Sequence, residues 1–176
     1  MKQYNEAEDY LSMAKWAILK SQNGDDAIKS KLHRNFGQLY AAQEQYEKAI
    51  YQLSMDVYHC SLASNPEDIT VTGGYYQMGN IFQKQGRIED ALAFFDKVVN
   101  IWTNAWQPTF QLDVAQAAEA IQMLTSIWKY RQKLNPNASM IRLIMFTLAK
   151  IHFSANQMDN ALGMANQALD GILLFM

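Results

Sequence analysis

The side chains best suited to catalysis or metal binding are three histidines and a single cysteine. His59 and Cys60 are adjacent, and a nucleophilic pair would need the imidazole to take the thiol proton. Adjacent residues of a helix point about 100° apart, so these two side chains cannot share a proton. One thiol also excludes an internal disulfide and a multi-cysteine zinc site. We therefore predict no catalytic residue and no metal site.

The other two histidines and a glycine pair are the remaining candidates for chemistry. His33 and His152 fall at core-facing positions of an internal helical repeat, so we predict structural histidines there. Residues 72–74, Thr-Gly-Gly, lack the rest of a phosphate-binding loop and are predicted to form a connector. The sequence predicts neither an enzyme nor a cofactor site.

Composition narrows the class of protein further. The 176 residues carry a formal net charge of −2, and no stretch concentrates lysine and arginine, which argues against nucleic-acid binding. Hydrophobic residues make up 49% of the chain, enough to bury a core. The longest apolar run, 172–176, is too short to span a bilayer, and residues 1–6 lack the apolar core of a signal peptide. We predict a cytoplasmic protein that does not enter membranes.

Three similar segments indicate an internal repeat. Ala7, Ala49 and Ala91 lie 42 residues apart, and each has a large apolar residue three positions before it and another four positions after it. Spacings of three and four place these side chains on one helical stripe. The small alanine lets a neighbouring helix approach closely, and the large residues pack around it.

A further helix is predicted before each of the last two alanines. Gly37 and Gly79 lie in matching patterns of aromatic ring, large apolar residue, glycine and aromatic ring, each twelve residues before its alanine. A fourth copy places Ala149 twelve residues before Ala161. A glycine inside a helix costs about 1 kcal/mol relative to alanine, which indicates tight packing at these positions.

This helix–turn–helix pattern of small and large residues resembles the tetratricopeptide repeat, and Gly86 stands at that family's turn position. The usual period is about 34 residues, whereas the spacing here is 42, as in repeats of the kinesin-light-chain kind. The resemblance implies an all-α fold, a right-handed superhelix of antiparallel helix pairs. It also implies a non-catalytic scaffold that binds other proteins.

We predict a single tetratricopeptide-like domain over 1–176 in which two repeats are incomplete. The predicted repeats cover 1–22 (partial), 30–63, 72–105, 113–134 (partial) and 142–175. Each partial repeat has the pattern of a second helix without its first. We therefore expect either a piece of a longer array or a chain that lacks internal segments.

Several longer stretches resemble a more specific family. They are residues 32–40, 66–69, 73–76, 118–121 and 124–127. Together they are similar to the C-terminal repeat region of MYND-type zinc finger proteins of cilia and flagella. The resemblance implies an axonemal, cytoskeletal component associated with inner-arm dynein subunits, beside another tetratricopeptide-repeat protein. A MYND finger needs a cluster of Cys and His ligands that one cysteine cannot supply, so zinc binding is not carried over.

The first helices of stacked helix pairs line a concave face that receives a peptide or a helix. The residues of these helices predicted to point away from the repeat stripe and to bind partners are Lys31, Arg34, Gln38, Tyr76, Asn80, Gln83 and Lys84. Asn80 is favoured among them, because a side-chain amide pairs with a ligand backbone in both directions. The alternative is that these residues form a solvated face that binds no partner.

Tryptophan and methionine supply further candidates. Trp106, beside Pro108, is predicted to lie in a loop and to anchor a partner. Methionines such as Met13, Met78 and Met123 fall on the repeat stripes and are predicted to fill the core, although methionines also occur in adaptable binding grooves.

The sequence therefore predicts a scaffold in a ciliary or flagellar motor complex. The alternative is a soluble cargo or signalling adaptor that captures a short peptide in the concave groove. Its partners are other proteins in both cases.

Overall fold

The computed structural model describes residues 2–21, 25–105, 112–135 and 139–173. Within these ranges the chain forms eight α-helices and no strand. The helices are α1 (Lys2–Lys20), α2 (Asp26–Ala42), α3 (Tyr46–Ala63), α4 (Thr72–Lys84), α5 (Ile88–Ala105), α6 (Val114–Leu134), α7 (Ser139–Ser154) and α8 (Met158–Leu173). A 3₁₀ turn, Ile69–Val71, leads directly into α4. The all-α fold predicted from the sequence is confirmed.

The helices fall into two compact units, residues 1–97 and 98–176, whose boundary lies within α5. In the first unit α2 packs against α1 and α3, and α4 packs against α3. In the second unit α7 packs against both α6 and α8.

Three helix pairs are closed by the same turn. Glu44, Gly86 and Asn156 follow α2, α4 and α7 and have φ angles of 60°, 73° and 57°. In each turn the next residue donates its backbone N–H to a carbonyl oxygen five residues earlier, over 2.9, 2.9 and 2.8 Å. This left-handed turn satisfies carbonyl groups that the end of a helix leaves without partners. Gly86 marks the turn in the sequence, whereas Glu44 and Asn156 do not.

The glycines inside α2 and α4 permit close helix packing, as the sequence predicted. A methyl group on Gly37 would lie 2.6 Å from Cγ of Leu53, and one on Gly79 would lie 2.5 Å from Cε1 of Phe95. Both large residues are buried, and each lies sixteen positions after its glycine. The glycine and the large residue therefore act as a complementary pair between the two helices.

The glycine pair at 73–74 does not form the connector predicted from the sequence. Thr72, Gly73 and Gly74 form the buried first turn of α4. A methyl group on Gly73 would lie 2.9 Å from Nη1 of Arg34, and one on Gly74 would lie 2.8 Å from Oδ2 of Asp56. The missing side chains let the start of α4 approach a polar cluster on α2 and α3.

Helix α1 departs from the predicted core pattern. Met13, expected in the core, is 67% exposed, and Trp16 is 73% exposed. Met78 and Met123 are buried, as expected. The difference arises because α1 packs against α2, and no other helix in the described part of the first unit covers the face that carries Met13 and Trp16.

Candidate protein-binding surface

The residues predicted to bind partners lie on α2 and α4, which contact each other in the first unit. Lys31 and Gln38 on α2 are exposed, as are Gln83 and Lys84 near the end of α4. They carry two cations and two amides with no competing carboxylate among them. This set forms the exposed part of the candidate surface.

Tyr76 and Asn80 lie between these exposed residues and the core. Both are half-buried, one helical turn apart on α4. The ring of Tyr76 packs against Phe95, with ring centroids 6.0 Å apart and planes at 42°. Because that contact fixes the ring, Tyr76 presents an ordered side chain beside the amide of Asn80.

Arg34 differs from the other predicted residues because its guanidinium is bound within the chain. Nε donates to Oδ2 of Asp56 over 2.8 Å, and Nη2 donates to Oδ1 of Asp56 over 3.3 Å and to the carbonyl oxygen of Thr70 over 2.8 Å. Arg34 was predicted to point away from the repeat stripe and to bind a partner, and its part in partner binding stays a prediction. Arg34 links α2 to α3 and to the 3₁₀ turn.

Asp56 is the centre of this polar cluster and was not identified from the sequence. Its side chain is 0% exposed, and it also accepts a 2.6 Å hydrogen bond from Oγ of Ser30. A buried carboxylate is costly unless it is paired and hydrogen-bonded, and Arg34 and Ser30 supply both requirements. The only sequence signal was a charged residue on a helix stripe that is otherwise apolar.

Both residues of the His59–Cys60 pair have other partners. Nδ1 of His59 lies 2.9 Å from Oδ1 of Asp26, and Sγ of Cys60 donates to Oγ1 of Thr70 over 3.2 Å. The imidazole is thus bound to a carboxylate on α2 and the buried thiol to a hydroxyl near the 3₁₀ turn. The geometry gives no thiol–imidazole pair.

The other two histidines are bonded to glutamine, as expected of structural histidines. Nδ1 of His33 lies 2.7 Å from Oε1 of Gln52, and Nδ1 of His152 lies 2.7 Å from Oε1 of Gln157. His152 is buried, and His33 is half-buried. The rings of His33 and His59 are stacked, with centroids 5.4 Å apart and planes at 7°.

Two ionisable groups beside these histidines have shifted pKa values. The pKa of Asp26 is lowered, first by the hydrogen bond from His59 and then by that from Lys29. The pKa of Tyr40 is raised, first by burial and then by the nearby charge of Glu8, to which its hydroxyl donates over 3.2 Å. Among the described residues, no three or more His, Cys, Asp or Glu side chains converge as metal ligands.

Trp106, predicted to anchor a partner, lies outside the described residues. In the helices that are described, none is both long and apolar enough to cross a membrane.

Comparison with known proteins gives one family match and several similar structures. The sequence pattern of the tetratricopeptide repeat matches residues 73–101. The crystal structure of BtubC (BKLC) from P. vanneervenii is 13% identical, covers 98% of this chain and 76% of its own, and has a TM-score of 0.47. A putative kinesin light chain from Podosopora anserina with nearly identical TPR-like repeats is 14% identical, covers 96% and 88%, and has a TM-score of 0.46.

The family match falls on α4 and α5, the helix pair that contains Gly79, Phe95 and the turn at Gly86. These are the residues whose packing and turn geometry define the pair. The chain therefore contains a tetratricopeptide repeat, formed by α4 and α5.

Proposed function

We propose that this chain is a non-catalytic scaffold that binds other proteins through the exposed face of α2 and α4. The observation that carries the proposal is the tetratricopeptide repeat at 73–101, which places Tyr76, Asn80, Gln83 and Lys84 on its first helix. Repeats of this kind present the first helices of successive pairs to a bound segment. Lys31 and Gln38 extend the same surface onto α2.

The chemistry of this surface suits an extended backbone with acidic neighbours. The amide of Asn80 can donate to a carbonyl and accept from an N–H of one residue. The ring of Tyr76 offers a flat apolar contact whose orientation the core already fixes. Lys31 and Lys84 supply positive charge at the two ends of the set.

A double substitution tests which surface binds. The Tyr76→Ala, Asn80→Ala variant is expected to lose at least tenfold in partner retention, because both groups would contact the ligand. Partners of the tagged chain are quantified by mass spectrometry from extracts of flagellated cells. The control is Asn100→Ala, an exposed amide on α5. Equal retention by the double variant and the control would contradict groove binding.

The finer proposal is that the scaffold is an axonemal component of cilia or flagella, associated with inner dynein arms and with a second tetratricopeptide-repeat protein. The support is the sequence resemblance to zinc finger MYND domain-containing protein 12 in residues such as 32–40 and 73–76. The repeat found at 73–101 is consistent with the scaffold part of that assignment. Zinc binding forms no part of the proposal.

Cell fractionation tests the axonemal proposal. A tagged protein in a flagellated cell is expected in the axonemal pellet after detergent extraction and in the high-salt extract that releases dynein arms. Inner-arm subunits should co-extract with it. A protein found wholly in the detergent-soluble pool would count against the axonemal role, while leaving the scaffold proposal in place.

The second candidate is a soluble cargo or signalling adaptor that captures short peptides. The observation that favours it is the 42-residue spacing of the repeats, which is also found in repeats of the kinesin-light-chain kind. A detergent-soluble protein whose varied partners are all lost in the Tyr76→Ala, Asn80→Ala variant would support this candidate. An axonemal protein that is unaffected by the double substitution would exclude it.

A further inference from the structure

A cavity between α1, α2 and α3 is distinct from the candidate protein-binding surface. Its volume is about 330 Å³, within the range of pockets that hold small organic molecules. Its polar lining includes Lys15 from α1, Lys29 and His33 from α2, and His59 from α3. Three helices that are separate in sequence therefore bring four basic side chains to one cavity.

The side chains that line this cavity include two lysines and two histidines and, among the described residues, no aspartate or glutamate. Asp26 bonds Lys29 over 3.2 Å and His59 over 2.9 Å and is not itself a lining residue. A second carboxylate outside the lining, Glu8, accepts a 3.2 Å hydrogen bond from the hydroxyl of the lining residue Tyr40. Both carboxylates therefore have partners in the wall, and the charged side chains of the lining itself are cationic.

The hydrogen bonds of the histidines fix which ring nitrogen can meet a ligand. Nδ1 of His33 bonds Oε1 of Gln52, and Nδ1 of His59 bonds Oδ1 of Asp26. Each acceptor takes a proton from Nδ1, so Nε2 is the remaining nitrogen of each ring.

The inner wall of the cavity is apolar. Leu32 and Phe36 are buried on α2, and Ile18 faces them from α1. Lys15 is exposed, so its ammonium group lies toward solvent. A ligand that fits both the apolar wall and the basic side chains has an apolar body and an anionic head group.

We infer that this cavity binds a small organic anion that combines an apolar body with a carboxylate or phosphate head. The body packs on Leu32 and Phe36, and the head meets the ammonium groups of Lys15 and Lys29. The site is independent of the proposed partner-binding face, so either proposal can fail without the other.

Isothermal titration calorimetry on the full chain tests the inference. The probes are 4-phenylbutyrate, phenyl phosphate and the neutral 4-phenylbutanol. At least one anion is expected to bind about tenfold more tightly than the alcohol, and the two anions show which head group the cavity takes. Equal binding of the alcohol, or no binding of either anion at millimolar concentration, would overturn the inference.

A matched pair of lysine substitutions locates the site. Lys15→Met is expected to weaken binding of the preferred anion about fivefold, because an exposed charge contributes modestly. Lys20→Met is the control, since Lys20 is exposed on the same helix and does not line the cavity. An unchanged Kd in Lys15→Met, or an equal loss in both variants, would show that the anion binds elsewhere.

Discussion

The helix pairs α2–α3 and α4–α5 have the same backbone arrangement, but different types of side-chain contact stabilise them. In the first pair two polar contacts lie near the Gly37–Leu53 packing, in addition to the stacked rings of Phe36 and Tyr40. His33 bonds Gln52, and Arg34 forms an ion pair with Asp56. The Asp56 side chain is fully buried, so this pair carries a carboxyl–guanidinium contact inside its interface.

The second pair replaces those contacts with aromatic rings. Tyr75 and Phe82 both pack on Phe94, with centroids 6.1 and 5.3 Å away. Two cations lie over rings, Arg87 over Phe82 at 4.4 Å and Lys97 over Tyr75 at 4.9 Å. Such contacts are less dependent on solvent pH than ion pairs that include carboxylates.

The repeat spacing shows that these contacts occupy equivalent positions. Forty-two residues after His33, Gln52 and Asp56 the chain has Tyr75, Phe94 and Val98. The glycine and the large residue that faces it are retained in both pairs. The packing of a small residue against a large one is therefore what the two pairs share, and the surrounding positions accept either polar or apolar partners.

The largest effect is expected from removing the buried carboxylate of the first pair. Asp56→Ala leaves the Arg34 guanidinium and the Ser30 hydroxyl without their shared acceptor. We expect a loss of about 3 kcal/mol in the free energy of unfolding, at the lower end for a buried pair because Arg34 is 23% exposed. Urea denaturation followed by circular dichroism measures it.

The control for that variant is Asp90→Ala. Asp90 also pairs with an arginine, Arg87, but both side chains are about half exposed, at 47% and 55%. An exposed pair of this kind contributes less than about 1 kcal/mol. Similar losses in the two aspartate variants would mean that burial does not distinguish the two pairs.

The second-largest effect is expected at Gly79, where a glycine packs against a large residue as in both helix pairs. Gly79→Ala brings a methyl group to 2.5 Å from the buried ring of Phe95, so the ring must shift. We expect a loss of about 1–3 kcal/mol by urea denaturation, as for overpacked cores. Gly163→Ala in α8 is the control, because nothing lies within 4 Å of the added methyl group. That variant should gain up to about 1 kcal/mol from helix propensity, and a comparable loss in both would refute close packing at Gly79.

The sequence was sufficient to predict the features that repeat. The alanine and glycine spacings placed the helices and identified Gly37 and Gly79 as close-packing positions, which the structure confirms. The candidate surface residues on α2 and α4 were also accessible from periodicity, although their role in binding remains a prediction.

The features that do not repeat were not predictable in this way. The buried pairing of Arg34 with Asp56 joins residues 22 positions apart and has no counterpart in the second helix pair. The cavity beside His33 and His59 depends on side chains from three helices, and periodicity describes one helix at a time. The exposure of Met13 depends on which helices surround α1, which the pattern of α1 alone does not contain.

A smaller effect is expected at the turn of the first pair. Glu44 has a φ of 60°, where a side chain with a Cβ atom is strained, and the second pair has glycine at this position. Glu44→Gly should therefore raise the free energy of unfolding by up to about 1 kcal/mol. Asn156→Gly, at the equivalent turn after α7, should gain less because asparagine tolerates this conformation. A gain at Asn156 that exceeds the gain at Glu44 would contradict the strain argument.

The smallest expected effect is a difference in acid sensitivity between the helix pairs α2–α3 and α4–α5. The hydrogen bonds from His59 and Lys29 lower the pKa of Asp26 below its ordinary value of 3.8. The unfolded chain therefore binds this proton more readily than the folded one. The resulting stabilisation is fully present above the ordinary pKa and is lost as pH falls through the lower, folded-state value.

Amide hydrogen exchange measures this difference within one molecule. Between about pH 5 and pH 3 the protection of amides in α2 and α3 should fall more than that of amides in α4 and the start of α5. In Asp26→Asn the part of that fall due to this carboxyl should disappear, because the side chain no longer titrates. Equal falls in the two helix pairs, unchanged by Asp26→Asn, would show that the acid response belongs to the fold as a whole. A selective fall that Asp26→Asn reduces would instead tie the acid sensitivity of the first pair to a contact that the second pair lacks.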